Sequence, residues 1–443
     1  MRLTPPRLLF AAAFAMLALA APPASALPSF AQQTGMACNA CHVGAFGPQL
    51  TPFGRQFKLN GYADGAASSL PPVAAMAIAS FTHTAKTPED APASGFSRNN
   101  NVALDEAGIF YAGRIFDRIG AFAQATWDGI AHKWSMDNTD IRYGDTADIA
   151  GHSVTYGVTL NNNPTLQDPY NTLPAWSFPF TASPLAPEVP GSTLIEGGLE
   201  HQVAGFGAYA LIDDLLYAEA SGYHALGEKV VDKLGIGAEG AKLAGTRPYL
   251  RVALQKSFDG QFAEIGAFGF FARTLPSRLV ADGRDKVRDW GIDASYQFLN
   301  SDRHIVTANA SWIHEKRWQD ASQALGLTEF DRGTASSLRG NLTYTLDNTY
   351  GLTAGLFATR GSTDPLLNPD SVAGKPNSRG WIAQADFTPF GKDGAPWSPY
   401  LNVRFGLQYT GYWRYNGAAT NYDGNGHNAK DNNTLMFFTW LAF

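Results

Sequence analysis

The chain is poor in cysteine, poor in charge and, beyond its first residues, without a long apolar run. Two cysteines are too few for the disulfide framework of a small secreted domain. A structural zinc site needs about four ligands, and no second cysteine pair supplies them. Charged residues make up 16% of the chain, against about 25% in soluble domains. The formal net charge is −6 and no basic stripe is present, so no nucleic-acid partner is expected. After Ala21 no apolar stretch approaches the roughly 20 residues of a membrane-spanning helix. If the chain enters a membrane, it must do so as strands.

The first residues have the order of a secretory signal. Arg2 and Arg7 precede the uncharged apolar run Leu8 to Ala21, and Ala24-Ser25-Ala26 offers small residues for cleavage. Residues 1–26 therefore read as a signal peptide, with the mature chain starting at Leu27.

Both cysteines lie in one motif, Cys38-Asn39-Ala40-Cys41-His42. C-x-x-C-H is the attachment pattern for c-type haem. Two thiols at that spacing can each bond a vinyl group of the porphyrin, and the following histidine supplies the proximal imidazole. A thioredoxin-like pair would sit in a βαβ surrounding, which the flanking sequence does not show. A disulfide between the two remains as the rival. The sixth iron ligand is left open among Met36, Met76 and His83.

Residues 27–70 form a module too short to build an ordinary core alone. From 71 to 443 the pattern changes to period-two alternation, the mark of strands. Leu338, Leu342, Tyr344 and Leu346 alternate with Arg339, Asn341, Thr343 and Thr345; Val154, Tyr156, Val158 and Leu160 behave likewise, as does the stretch Leu401 to Thr410. Such segments run roughly 10–14 residues, longer than sandwich strands of about 5–6. About 16 of them, separated by turn residues, predict a transmembrane antiparallel β-barrel. They start near residues 73, 103, 118, 137, 153, 202, 215, 248, 261, 286, 304, 333, 349, 378, 399 and 432. The segment 137–148 is the weakest, because it carries Asp137, Asp140, Asp145 and Asp148. Short turns at Asp117, Asp213-Asp214, Asp259-Gly260, 300–303 and Asp347-Asn348 alternate with long connections at 163–201, 226–247, 318–332 and 416–431. This predicts periplasmic turns and external loops, with the module at the periplasmic side or plugging the lumen. Tyr111, Trp127, Trp312, Tyr412 and Trp440 are expected in interfacial girdles. Phe443 ends a strand on the lipid face, like the terminal aromatic read by outer-membrane assembly machinery.

A porin needs no redox centre and a periplasmic cytochrome needs no barrel. Together they suggest electron transfer across an insulating membrane. The stretch Ser29-Phe30-Ala31-Gln32-Gln33-Thr34-Gly35-Met36, the haem motif and Leu50-Thr51-Pro52-Phe53-Gly54-Arg55-Gln56-Phe57-Lys58-Leu59-Asn60-Gly61-Tyr62 resemble the fused monohaem cytochrome–porins of the bacterial outer membrane. That family includes ferrous-iron oxidases of iron-oxidising bacteria. Over the barrel the resemblance is architectural. Phe46-Gly47-Pro48-Gln49 departs from the Phe-Pro that often precedes the leucine in this family. The resemblance implies one covalent heme c on Cys38, Cys41 and His42, an outer-membrane location with lipid as surroundings, and a route from extracellular Fe(II) to periplasmic electron-carrier proteins. It makes an Fe(II) oxidase or electron-transfer oxidoreductase one expectation. A diffusion porin or transporter with a haem-bearing sensing or gating module is the alternative.

Other residues stand out by type. Arg55 and Lys58 could pair with haem propionates, or be solvated or bound to lumen carboxylates. Arg251, Arg339 and Arg404 share the presumed lumen face. His132, His201, His224 and His427 fall in or near external loops, but no ligand spacing joins them.

Overall fold

A computed structural model describes residues 29–66, 71–301, 303–397 and 401–443. The signal peptide expected at 1–26 lies outside them. The sheet contains seventeen paired segments, one of which, Lys242–Leu243, is a two-residue piece within a connection. The remaining sixteen are the barrel strands. They are β1 (Val73–Thr84), β2 (Asn101–Phe116), β3 (Ile119–Asp128), β4 (Lys133–Ile149), β5 (His152–Asn161), β6 (Val203–Ile212), β7 (Leu216–Ala225) and β8 (Arg247–Phe258). The second half is β9 (Gln261–Leu275), β10 (Asp285–Phe298), β11 (His304–Trp318), β12 (Arg332–Leu346), β13 (Tyr350–Gly361), β14 (Ser378–Phe387), β15 (Asn402–Arg414) and β16 (Thr434–Ala442).

Each strand pairs antiparallel with its neighbour, and β1 closes the barrel against β16, from Met76 opposite Ala442 to Thr84 opposite Thr434. Beyond the last strand, Phe443 exchanges both backbone hydrogen bonds with Ala75. Closure leaves no unpaired edge, the condition for a sheet in hydrocarbon.

The alternation divides cleanly between the two faces. On β12 Leu342 is 54% exposed and Thr343 7%. On β15 Leu407 is 50% exposed and Gln408 4%. The outer face carries Val102, Leu104, Phe206, Val252, Leu254, Leu352 and Leu356, all open. An exterior of this kind is stable only against lipid. The chain is a membrane-spanning barrel of the bacterial outer-membrane type.

The turns follow their chemistry. Asp213, Asp214, Asp347 and Asn348 all have positive φ, as do Asp259 and Gly260. These are the residues that tolerate the left-handed backbone a two-residue hairpin requires. The strand beginning expected near 399 is displaced to Asn402; residues 398–400 are not among those described. The acidic β4 is a full strand. Its Asp140 points inward, where Tyr62, Arg142 and Thr159 satisfy it.

Two expectations about position are corrected. Tyr412 and Trp440 are not girdle residues. Both lie on the inner face: Tyr412 packs with Phe178 and Phe357, and Trp440 meets Phe46 edge-on at 5.1 Å. The outer face does carry aromatic pairs, Trp127 with Trp134 and Trp290 with Trp312. The connection between β5 and β6, expected as an external loop, folds into the lumen. Its Leu166, Asp168, Leu173, Ile195 and Leu199 are buried there.

Candidate functional site: a cavity in the lumen

The N-terminal segment also lies inside the barrel. It forms three short helices, α1 (Ser29–Thr34), α2 (Cys38–Cys41) and α3 (Pro52–Leu59). Thr51 caps α3 by accepting from Gly54 N–H, and Pro52 takes the first position, where no amide donor is needed. Gly54 lets α3 pass α2 closely: a Cβ there would stand 2.3 Å from the Cys41 carbonyl oxygen.

Hydrogen bonds pin this segment to the wall along its whole length. Asn402 donates to the Ala45 carbonyl at 2.7 Å and Arg404 to the Phe46 carbonyl at 2.7 Å. Gln49 reaches Thr307 at 3.1 Å. Tyr209 donates to the Leu59 carbonyl at 2.6 Å, and Tyr62 to Asp140 at 2.8 Å. Arg55 donates to Gln297 at 2.8 Å and its guanidinium lies 3.4 Å from the centre of the Phe262 ring. Desolvated cation–π contacts of this kind are worth about 2 kcal/mol.

Arg55 and Lys58 are buried, and their hydrogen bonds go to carbonyl and amide groups rather than to solvent or lumen carboxylates. Arg55 binds an amide and the Leu50 carbonyl. Lys58 donates to the carbonyls of Leu166 and Asp168 and to the Asn171 side chain. Both are pins between the segment and its surroundings. The lumen arginines are used as counter-charges. Arg251 is held by Asp168, Glu264 and Asp293, Arg339 by Glu196, and Arg404 approaches Asp386 at 4.0 Å.

Between the segment, strands β1 to β4, β16 and the inward connection lies a cavity of about 590 Å³. Cys41 and His42 line it, together with Phe30, Leu50, Met76, Ile78, Phe110, Phe122, Trp176 and Trp440. This is the size of an ordinary cofactor site, and polar and charged groups, Lys58, Tyr62, Glu106, Gln124 and Asp137 among them, share its lining. Cys38 begins the same helical turn but is not itself among the residues that line the cavity. Both cysteines are free thiols. Burial pushes the Cys41 thiol up to about 12.

His42 carries one of several buried polar atoms without a partner. Its Nδ1 is buried and makes no hydrogen bond. Burial lowers its pKa to about 4, with the Gly47 backbone working the other way and Arg404 adding to the fall. The imidazole is neutral, the form that binds a metal.

The sequence candidates for a second axial ligand separate. Met76 points inward and lines the cavity. His83 lies outside it, with Nδ1 2.8 Å from Asn100 Oδ1. Met36 is 41% exposed and does not line the cavity. The loop histidines do not converge: His201 faces Asp137, His427 faces Asp423, and His224 faces Thr246. His132 lies by the Trp127 ring. Among the described residues no group of three or more His, Cys, Asp or Glu side chains could hold a metal ion. The role of Asn402 and Trp440 was not visible in sequence. Only their inward register would have marked them.

At the external end the lumen opens into a second cavity of about 770 Å³. Glu89, Asp90, Asp370, Asp423 and Asp431 line it, against Lys86 and Arg317.

No family model matches the sequence, and no curated protein does. Solved structures similar to it include the anion-selective porin from Comamonas acidovorans, at 12% identity and TM-score 0.45, covering 84% of this chain and 98% of that one. The outer membrane channel DcaP of Acinetobacter baumannii is similar at 10% identity and TM-score 0.42, over 84% of this chain and 96% of that one. OmpT of Vibrio cholerae, an outer membrane protein, is similar at 8% identity and TM-score 0.41, with 84% and 96% covered.

Proposed function

We propose that the chain is an outer-membrane c-type cytochrome whose barrel holds one haem in its lumen and carries electrons between the two faces of the membrane. One observation carries this reading: Cys41 and His42 of a C-x-x-C-H turn line a cofactor-sized cavity inside a membrane-spanning barrel. Cys38 and Cys41 would hold the vinyl groups and His42 the iron. Bound there, haem supplies a one-electron site that neither lipid nor the sheet provides. The surrounding residues would orient and enclose it. Asn402 and Arg404 fix the turn that follows the motif, and Ile78, Phe110 and Phe122 would limit water around a bound group.

The acidic excess at the external mouth favours a cationic donor, and Fe(II) is the proposed one. The partner at the other face would be a periplasmic electron-carrier protein. Absorbance of protein exported with its haem-attachment machinery, before and after mixing with Fe(II), tests this. The expected result is a covalently bound haem that Fe(II) reduces, and its loss in Cys41→Ser. A protein without covalent haem overturns the reading.

A second reading has its own support. A 16-stranded barrel is wide enough for an aqueous channel, so the chain could be a diffusion porin or transporter in which the lumen segment senses or gates. Planar-bilayer conductance separates the two. Steady solute conductance with a haem that Fe(II) leaves oxidised favours the porin.

A further inference from the structure

We propose that Met76, a barrel-wall residue, completes the axial pair with His42, so that the iron is clamped between the lumen segment and the barrel itself. This rests on the haem reading above and adds to it the identity of the second ligand.

Three observations point to Met76. First, its thioether lines the same cavity as His42. Second, the sulfur is oriented. Trp440 Nε1–H donates to Met76 Sδ at 3.3 Å, and Trp440 in turn packs on Phe46, four residues after His42. A thioether sulfur is a weak acceptor, so one such bond leaves a lone pair for a metal. Third, the neighbouring strand makes room. Gly108 lies beside Met76 in the register, and a Cβ there would come 3.3 Å from Met76 Cγ.

Several other lining groups with metal-binding atoms are hydrogen-bonded elsewhere. Lys58 Nζ has three acceptors. Tyr62 donates to Asp140. Glu106 accepts from Gln124 at 3.0 Å, and Asp137 from Thr126 at 2.8 Å. Thioether ligation also suits a site with Ile78, Phe110 and Phe122 around it, since sulfur is neutral and soft.

The test is spectroscopic and independent of turnover. Wild-type protein, Met76→Ala, Met76→His, Met36→Leu and His83→Gln are exported with the attachment machinery. Barrel assembly is checked for each by heat-dependent gel migration. In the wild type the oxidised protein should be low-spin with a weak red thioether-to-iron band. Met76→Ala should lose that band and turn high-spin. Met76→His should lose the band but stay low-spin, at a lower reduction potential, because two nitrogens favour the oxidised iron relative to methionine. Met36→Leu and His83→Gln should leave the spectrum unchanged. A wild-type spectrum that survives Met76→Ala, or one that changes in Met36→Leu or His83→Gln instead, overturns the assignment while leaving the haem reading intact. Wild-type protein with no covalent haem overturns both.

Discussion

Lys58 donates to the Asp168 backbone carbonyl at 2.6 Å, while the Asp168 carboxylate sits 3.3 Å from Arg251 on the barrel wall. One residue of the inward connection is thus held by the lumen segment on one side and by β8 on the other. Lys58→Met keeps most of the buried stem but leaves two buried carbonyls and the half-buried Asn171 side chain without their donor. The expected loss of docking stability is about 2–4 kcal/mol. Hydrogen exchange should then rise in Pro52–Leu59 and in residues 166–171 together, while the strands stay protected. Faster exchange in the segment alone would mean that the connection is held without it.

Two glycines of the wall make space for the segment's backbone. A Cβ at Gly144 would lie 2.2 Å from the Leu59 carbonyl oxygen, and one at Gly120 would lie 2.3 Å from the Gly61 carbonyl oxygen. Backbone cannot yield there as a flexible side chain would. Gly144→Val should therefore assemble as a barrel but expel residues 58–62, opening them to protease. Gly340→Ala is the control, because its nearest neighbour, the Asn309 carbonyl, is at 3.6 Å. Equal protease resistance in both variants would refute this.

The inward connection is also pinned near its end, where His201 Nε2 lies 3.1 Å from the Asp137 carboxylate. Burial alone would lower the His201 pKa, but the Asp137 carboxylate outweighs it and the net shift is upward. A raised histidine contributes stability that is fully present below its unfolded value, about 6.5, and is lost as pH rises through the higher folded value. Exchange around residues 199–203, corrected for its intrinsic pH dependence, should accelerate across that rise. His201→Gln should flatten the response.

Much of the barrel was legible because its signal is local. Leu338 to Thr345 reads as strand from alternation alone, and Asp347-Asn348 reads as a turn from the residues that accept positive φ. The lumen was less legible, for a physical reason. An inward tyrosine or tryptophan has the same period as an outward one, so Tyr412 and Trp440 looked like girdle residues. What separates them is register against a segment more than 350 positions away in the case of Trp440 and Phe46. The inward fold of residues 162–202 was hidden similarly. Its polar and proline-rich composition is that of any external loop, and its anchors are long-range: Leu194 N–H to Glu315 and Ile195 N–H to Asp289. The pattern of Cys38, Cys41 and His42 was legible because it is carried by adjacent residues. Of the three candidates Met36, Met76 and His83, the inward register of β1 brings Met76 alone to the cavity that His42 lines.

Trp440→Phe separates two roles of one side chain. Phenylalanine keeps an aromatic ring against Phe46 but removes the N–H that Met76 Sδ accepts. A hydrogen bond to a ligand sulfur draws electron density away from the metal and favours the reduced iron. If Met76 binds the iron, the reduction potential of Trp440→Phe should fall below that of the wild type. The drop should be smaller than in Met76→His, with the red thioether band retained. If Met76 only packs, the indole N–H has no electronic path to the iron and a redox titration should superimpose on the wild type. A lower potential with the band lost would instead mean that the indole holds the thioether in its ligating rotamer, and Met76→Ala should then give the same high-spin spectrum.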